Sequence, residues 1–403
     1  MRLLIENEFV TEPVFLKISL YAFGQNSRDQ REIEAAYEAG FKNIHVISAT
    51  GLKELHSDPI WECTEIVLKP FGDTGFRKLL GNISAFINFI KKARALKPKV
   101  ISGHDIFGLL IGYLSSIGRR EQTYLVYDAH EYEMGRFAIK QRNSIIKKLI
   151  SLVEKFLIKR SSFSIIVNQT ILKRMQNDYA LNFPYVVVRN IPVNRFIDYQ
   201  LTNKIRQDWL KKTNLHSEAM LLVYHGIVIP GRGIEMGIRV CSINPKIGLV
   251  ILGNGNESYI NELKEFCELK GVQSRVIFVP AVTGDVLISY IAAGNIGLSL
   301  IQPVSLSYYY SLPNKLFEAL HAGNPVLGSN FPEIRKVIEE FEVGLTCDPT
   351  DVNEVIIALD HFMEPNLMKK LQHNVAMAKK ELTWDKEKLT LIEEFKKYRN
   401  IIN

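Results

Sequence analysis

Cysteine is scarce and scattered: Cys63, Cys241, Cys267 and Cys347 form no C-x-x-C pair. Such thiols fit a reducing compartment, argue against a disulfide frame or a zinc site, and read as small core residues. Low-complexity tracts and short-period repeats are missing, which removes solenoids and disordered tails from consideration. The longest apolar stretch outside strands, Ile106–Ile117, is too short for a bilayer span, which needs about 20 residues. The opening MRLLIENEFVTEP carries acids and lacks both a basic n-region and a continuous apolar h-region, so no signal peptide is expected. A soluble or peripheral cytoplasmic protein is the expectation. No G-x-G-x-x-G opens a helix after a first strand with an acid about 20 residues on, which disfavours a two-domain dehydrogenase.

What is present is ordinary globular material, 47% hydrophobic and 23% charged over 403 residues, with a mild net charge of +7. That length implies two domains of roughly 150–200 residues. Strand-like runs alternate with segments of helical period: Val14–Tyr21, Asn43–Ser48, Glu65–Lys69, Val100–Ser102, Thr123–Tyr127, Ser164–Val167 and Tyr185–Val188 in the first half. The rhythm breaks over Arg189–Glu218. It resumes with Met220–His225, Leu249–Leu252, Arg275–Val279, Ile296–Leu300, Pro325–Gly328 and Val343–Thr346. This is the α/β pattern of two doubly wound, Rossmann-like domains with parallel sheets. The expected boundaries are 1–195 for the first domain, 196–218 for a linker, 219–383 for the second domain and 384–403 for a closing helix that crosses back to the first. In such sheets ligands bind at the loops leaving the carboxyl ends of the strands.

The most informative loop is Ser311–Leu327, SLPNKLFEALHAGNPVL. Pro313 suits a helix start, where its missing N–H costs nothing, and Gly323 suits the stop. The first turn, with Asn314, Lys315 and Leu316, offers free N–H groups, the positive end of the helix dipole and a lysine, which together suit a diphosphate. Glu318, one turn on, reaches a sugar hydroxyl pair with two oxygens. By spacing alone, an amphipathic helix with a solvent-facing Lys and Glu is the favoured account of the segment. A second loop, Leu221–Arg239, runs from a strand ending at His225-Gly226 to Gly231-Arg232-Gly233 at a helix start; Arg232 there grips phosphate oxygens or is a surface arginine in a turn. Gly253 and Gly255 bracket Asn254 at the end of another strand and allow close backbone approach.

These segments resemble the family-4 glycosyltransferases, a retaining group with the two-domain GT-B fold and its active site in the cleft between the domains. Pro313, Lys315, Glu318, Gly323, Pro325 and Val326 match that family's P-x-K-x-x-E-x-x-x-x-G-x-P-V pattern position by position. The resemblance implies that Glu318 holds the ribose, that Arg232 binds the diphosphate, and that Gly226, Gly253 and Gly255 line the donor site. The glutamate usual eight positions before Glu318 is here Tyr310, which leaves the donor sugar open. Gly24, in the Phe23–Asp29 loop, resembles the family's loop against the donor phosphates, and Asn190 matches a structural asparagine. His130, in VYDAHE, matches a histidine near the donor sugar, with Asp128 and Glu131 orienting it or capping the next segment. The catalytic set implied is His130, Arg232 and Lys315, with a UDP- or GDP-sugar as co-substrate, no cofactor, and no metal, because the polar strand ends with His104, Asp105, Asp128, His130 and Glu131 lack metal spacings.

Arg136–Arg160 holds Arg136, Lys140, Arg142, Lys147, Lys148, Lys155, Lys159 and Arg160 against the single acid Glu154. Its apolar residues, Ile145, Ile146, Leu149, Leu152, Val153, Phe156 and Leu157, recur at helical spacing. They are expected to pack on the sheet, while the charge surplus suits an anionic membrane and a lipid-linked acceptor. The activity implied is transfer of a sugar to a glycan or lipid-linked acceptor with retention, in cell-surface polysaccharide synthesis at the inner face of the membrane, with no nucleic acid partner. A sugar-nucleotide epimerase of the same fold and a non-catalytic nucleotide-sugar-binding subunit are the alternatives.

Overall fold

A computed structural model of the chain describes residues 12–22, 27–49, 60–66, 75–136 and 145–402. The chain forms two compact units, the first from Met1–Glu133, Ile145–Val188 and Lys388–Asn403, the second from Met134–Ser144 and Arg189–Glu387.

The first unit holds seven strands, β1 (Val14–Ala22), β2 (Asn43–Ala49), β3 (Glu62–Ile66), β4 (Val100–His104), β5 (Tyr124–Ala129), β6 (Phe163–Ile166) and β7 (Tyr185–Val187). They are parallel throughout, in the order β3-β2-β1-β4-β5-β6-β7. The third strand pairs Glu62–Ile66 with His45–Ala49; residues 67–69 of the expected run lie outside the described residues. Phe395, on the closing helix Trp384–Ile402, is fully buried against the rings of Phe15, Phe41 and Phe163, which ties Lys388 onward into this unit.

The second unit holds β8 (Met220–His225), β9 (Ile247–Leu252), β10 (Val276–Val279), β11 (Ile296–Ser299), β12 (Val326–Ser329) and β13 (Gly344–Cys347), parallel in the order β10-β9-β8-β11-β12-β13. Every residue of β8 and β9 is buried, as central strands covered on both faces must be. The segment 196–218 carries the helical piece expected around Ile205–Lys212, in a longer helix. It contains the helix Tyr199–Thr213, capped by Asp198, whose Oδ1 accepts from the Gln200 and Leu201 N–H groups at 3.0 Å. Leu201, Ile205 and Trp209, one turn apart among Lys and Gln, cover Leu221, Val223 and Val250 of the sheet.

In both sheets the strand order reverses beside the first strand, between β1 and β4 and between β8 and β11, which is where such folds open a crevice. On the other side of β8 from this reversal, the chains leaving β8 and β9 run side by side. The Gly226 N–H donates to Leu252 O, the Val228 N–H donates to Asn254 O, and Val228 bridges to Gly255. A Cβ at Gly253 would sit 1.9 Å from the Gly226 carbonyl oxygen, so this glycine is required by backbone against backbone. Gly253→Ala is expected to destabilise the second unit by about 2–3 kcal/mol, read as a lower denaturation midpoint, because no side chain can move aside.

Candidate functional site

The site in the second unit begins with the helix Asn314–His321, which follows β11 and a short turn, Leu306–Tyr309. Pro313 occupies the N-cap with extended backbone (ψ 144), so the first turn opens without a capping side chain. Leu316, Phe317 and Leu320 are fully buried, which fixes the helix on the sheet and sets where Lys315 and Glu318 point.

Lys315 is buried, with its Nζ 4.0 Å from the centroid of the Tyr224 ring. Arg232, brought in by the loop after β8, places its guanidinium 4.5 Å from the Tyr308 ring. Neither cation makes a salt bridge among the described residues. Two aromatic faces are their neighbours, a weak substitute for a counter-anion. Burial pushes the Lys315 ammonium down to about 7, the Arg232 guanidinium pushes the same way, and Glu318 opposes both. A desolvated lysine beside an arginine, at the positive end of a helix, is chemically a receptor for a multivalent anion.

Glu318 lies one turn further on, where its Oε2 is 3.0 Å from Nε2 of His225, the last residue of β8. His225 and Glu318 line a cavity of about 300 Å³ with Gly226, Gly253, Asn254 and Val282. The motif residues Gly226, Arg232, Gly253, Gly255, Pro313, Asn314, Lys315, Leu316 and Glu318 therefore all lie on two neighbouring strand exits and one helix start. Gly253 and Gly255 have a backbone reason of their own, because a Cβ there would collide with Gly226 O or Val228 O, at 1.9 and 2.1 Å. Gly226, at φ +118 with nothing within 4 Å of its virtual Cβ, keeps a conformation that suits glycine. His225, Tyr224 and Tyr308 were not singled out. A polar residue ending the buried run MLLVY was the one signal for His225.

The first unit holds a separate cluster at its own strand exits. Lys17, fully buried on β1, has its ammonium 2.8 Å from Asp128 Oδ2 and 3.3 Å from Asp29 Oδ1, and in close contact with Glu32. Arg28 Nε donates to Asp128 Oδ1 at 3.1 Å. Burial alone would raise the two aspartates, but Lys17 together with His104 at Asp29, and His130, Lys17 and Arg28 at Asp128, hold both below the usual carboxylate range. Burial pushes Glu32 up to about 7, with Lys17 opposing. His130 Nε2 bonds Asp128 Oδ2 at 2.9 Å and His104 Nδ1 bonds Asp29 Oδ1 at 2.8 Å, and the two imidazole rings lie 3.7 Å apart. Burial lowers His130 despite Asp128. At His104 the bond and charge of Asp29 outweigh burial and raise it. Asp29, His104, Asp128 and His130 present ligand-type atoms within 4.8 Å of one another. The cation among them is the Lys17 ammonium, joined by Arg28. Glu131 is exposed, and Gly24 with the rest of 23–26 lies outside the described residues.

Residues 205–381 match the family model described as glycosyl transferases group 1. The chain is a glycosyltransferase, and its second unit carries a group 1 domain. No curated protein matches the sequence. Among solved structures, this glycosyltransferase is similar to sucrose-phosphate synthase from Thermosynechococcus elongatus, at 16% identity, TM-score 0.77 and coverage of 96% of this chain and 99% of that one. Anabaena HepE in complex with UDP-glucose aligns at 14% identity and TM-score 0.73 over 94% and 98% of the two chains. WaaG, a glycosyltransferase involved in lipopolysaccharide biosynthesis, aligns at 15% identity and TM-score 0.66 over 93% and 99%. At these identities the likeness establishes the fold, two Rossmann-like domains of GT-B type. The two motif-bearing loops, 221–239 and 311–327, both fall inside the matched family region.

Replacing Lys17 by methionine leaves Asp29 and Asp128 short of their central cation. Lys17→Met is expected to cost about 3–5 kcal/mol in folding stability, measured by denaturant titration of the first unit's transition, because a buried partner is removed from a closed network.

Proposed function

We propose that the glycosyltransferase uses a UDP- or GDP-sugar as donor, retains the anomeric configuration, and transfers to a glycan or lipid-linked hydroxyl in cell-surface polysaccharide synthesis. The observation that carries this reading is the pair Arg232 and Lys315, two cations without a carboxylate salt bridge among the described residues, at the mouth of the helix Asn314–His321. Charge accumulates on the diphosphate as it leaves, and fixed donors in a desolvated site stabilise it there. The bond that breaks joins the anomeric carbon to the diphosphate; the bond that forms joins that carbon to the acceptor oxygen, whose proton passes to the departing diphosphate. Glu318 takes the ribose diol. His130 is assigned to the donor sugar, its Nε2 held by Asp128. No metal is needed in this scheme, since the protein's own cations meet the diphosphate. Anabaena HepE with UDP-glucose supports the donor class, and WaaG in lipopolysaccharide biosynthesis supports the setting.

The reading is tested by titrating UDP, GDP and their sugars into purified protein and following slow donor hydrolysis. Arg232→Ala and Lys315→Ala are each expected to weaken diphosphate binding by about ten- to a hundredfold, the value of a charge-assisted contact. The pH dependence has a definite sign. Below pH 7 Lys315 is already protonated, so affinity is flat there as far as this group is concerned. Above pH 7 the free site must take up a proton to bind, so affinity falls as pH rises, by up to about tenfold per unit. Lys315→Met removes that slope between roughly pH 7.5 and 9, the span above the lysine's own titration. Absence of any nucleotide binding would overturn the assignment.

The helix Ile145–Ile158 supports the membrane setting. Its stripe does not lie on the sheet as its periodicity suggested. Glu154, Leu157 and Ile158 are buried, with Glu154 accepting from Tyr127 and Tyr179, whereas Ile145, Leu149 and Leu152 are 85%, 61% and 66% exposed. Ile145, Leu149, Leu152 and Phe156 follow one another at four, three and four residues, and Lys148, Lys155 and Lys159 run alongside. An apolar edge flanked by lysines matches an anionic bilayer interface. The protein is expected to sediment with phosphatidylglycerol vesicles and not with phosphatidylcholine alone. Leu149→Ser with Leu152→Ser should reduce that binding at least about tenfold.

A further inference from the structure

The buried run of β8 ends on a histidine at the mouth of the cavity, and the donor contacts assigned to Arg232, Lys315 and Glu318 do not use it. His225 is 2% exposed. Its Nε2 is 3.0 Å from Glu318 Oε2, and its Nδ1 is buried with no hydrogen-bond partner. The pattern fixes the proton. A carboxylate accepts, so Nε2 carries the hydrogen, and an N–H on Nδ1 would be an orphan donor inside the protein, so that atom presents its lone pair. Leaving one ring nitrogen unmatched at the end of MLLVY costs free energy that an apolar residue there would not incur. What the histidine supplies in return is a directional donor to one oxygen of Glu318.

We infer that His225 is a positioning residue that orients the Glu318 carboxylate for the cis-diol of the donor's ribose, and so sets the enzyme's discrimination for a ribonucleoside. This rests on the donor-site reading above. A carboxylate binds a vicinal diol through both oxygens when its plane is held, and a freely rotating side chain loses part of that gain to ordering. Glu318 projects from a helix fixed by Leu316 and Phe317, and its carboxylate is turned by the bond to His225, which itself stands on the rigid central strand. The positioning thus runs from β8 through an imidazole to the carboxylate on the facing helix, across a cavity of about 300 Å³ whose other walls are the strand exits at Gly226 and Gly253.

The experiment measures dissociation constants of the wild type, His225→Phe and His225→Gln for three probes: UDP or GDP, its 2′,3′-dideoxy analogue, and inorganic pyrophosphate. His225→Phe is expected to weaken the ribonucleotide tenfold or more while leaving the dideoxy analogue and pyrophosphate within twofold. His225→Gln, whose amide reaches the Nε2 position, recovers most of the loss. His225→Asn, too short to reach Glu318, replaces the phenylalanine variant if that one does not fold. The losses from His225→Phe and Glu318→Ala should also fail to add, because each removes the same contact. Equal weakening of all three probes, or of none, overturns the inference and leaves the donor site standing. A wild type that binds pyrophosphate without favouring the ribonucleotide over its dideoxy form removes the ribose role of Glu318, and the inference with it. A wild type that binds none of the three removes the donor site itself.

Discussion

Parallel pairing is the constraint on which everything else rests. It delivers every carboxyl end of a sheet to one edge and makes each following helix start there, so polar strand ends and helix N-termini share one line. The reversal of strand order beside β1 and beside β8 then separates two neighbouring exits and leaves room between them. His104 ends β4 at the first reversal, with Asp128 near the end of the next strand, β5, and His225 ends β8 at the second. The same edge is crowded, because two chains leaving adjacent strands turn together. Gly253 against the Gly226 carbonyl is the clearest sign of that crowding.

The two units treat buried charge in opposite ways. In the first, Lys17 and Arg28 face Asp29 and Asp128, with Glu32 pushed toward its protonated form, and the network closes on itself. Such a cluster fixes geometry, that of the His130 ring included. In the second, Arg232 and Lys315 rest against tyrosine faces, and the cost of that arrangement appears as the lowered lysine. An arriving dianion relieves both the desolvation and the mutual repulsion of the two cations. The unit that matches the group 1 family is also the one in which Arg232 and Lys315 make no salt bridge among the described residues.

Much of this was legible in the sequence because the signals were local. Most of the described strands lie on apolar runs flanked by turn residues, and Met220–His225 coincides with its run end to end. Pro313 and Gly323 bracket the helix that carries Lys315 and Glu318 for reasons of backbone alone. What stayed hidden needed a third dimension. A helical piece shows around Ile205–Lys212, but Leu201, Ile205 and Trp209, diluted by Lys and Gln, do not say that it covers a sheet. The helix Ile145–Ile158 has a strong apolar stripe, but periodicity says which residues share a face and not whether that face meets protein or water. Lys17 in the run FLKISL belongs to a network whose members come from β1, β5 and the helix Ser27–Glu38, and no spacing rule joins them.

The departure at Tyr310 bears on how the second site is balanced. The run Ser307–Ser311 is mostly tyrosine. Tyr308 faces the Arg232 guanidinium, while Tyr309 packs on Phe331, with ring centroids 4.8 Å apart. A glutamate at 310, two residues from Tyr308, would have brought a negative charge into this loop, where tyrosine brings an uncharged phenol. The loop therefore contributes faces where the family pattern contributes charge. Holding a guanidinium by an aromatic face leaves its N–H fork free of carboxylate competition, which suits bidentate contact with phosphate oxygens. On the donor reading proposed above, the replacement keeps the Arg232 fork for the diphosphate instead of for a carboxylate of the same loop.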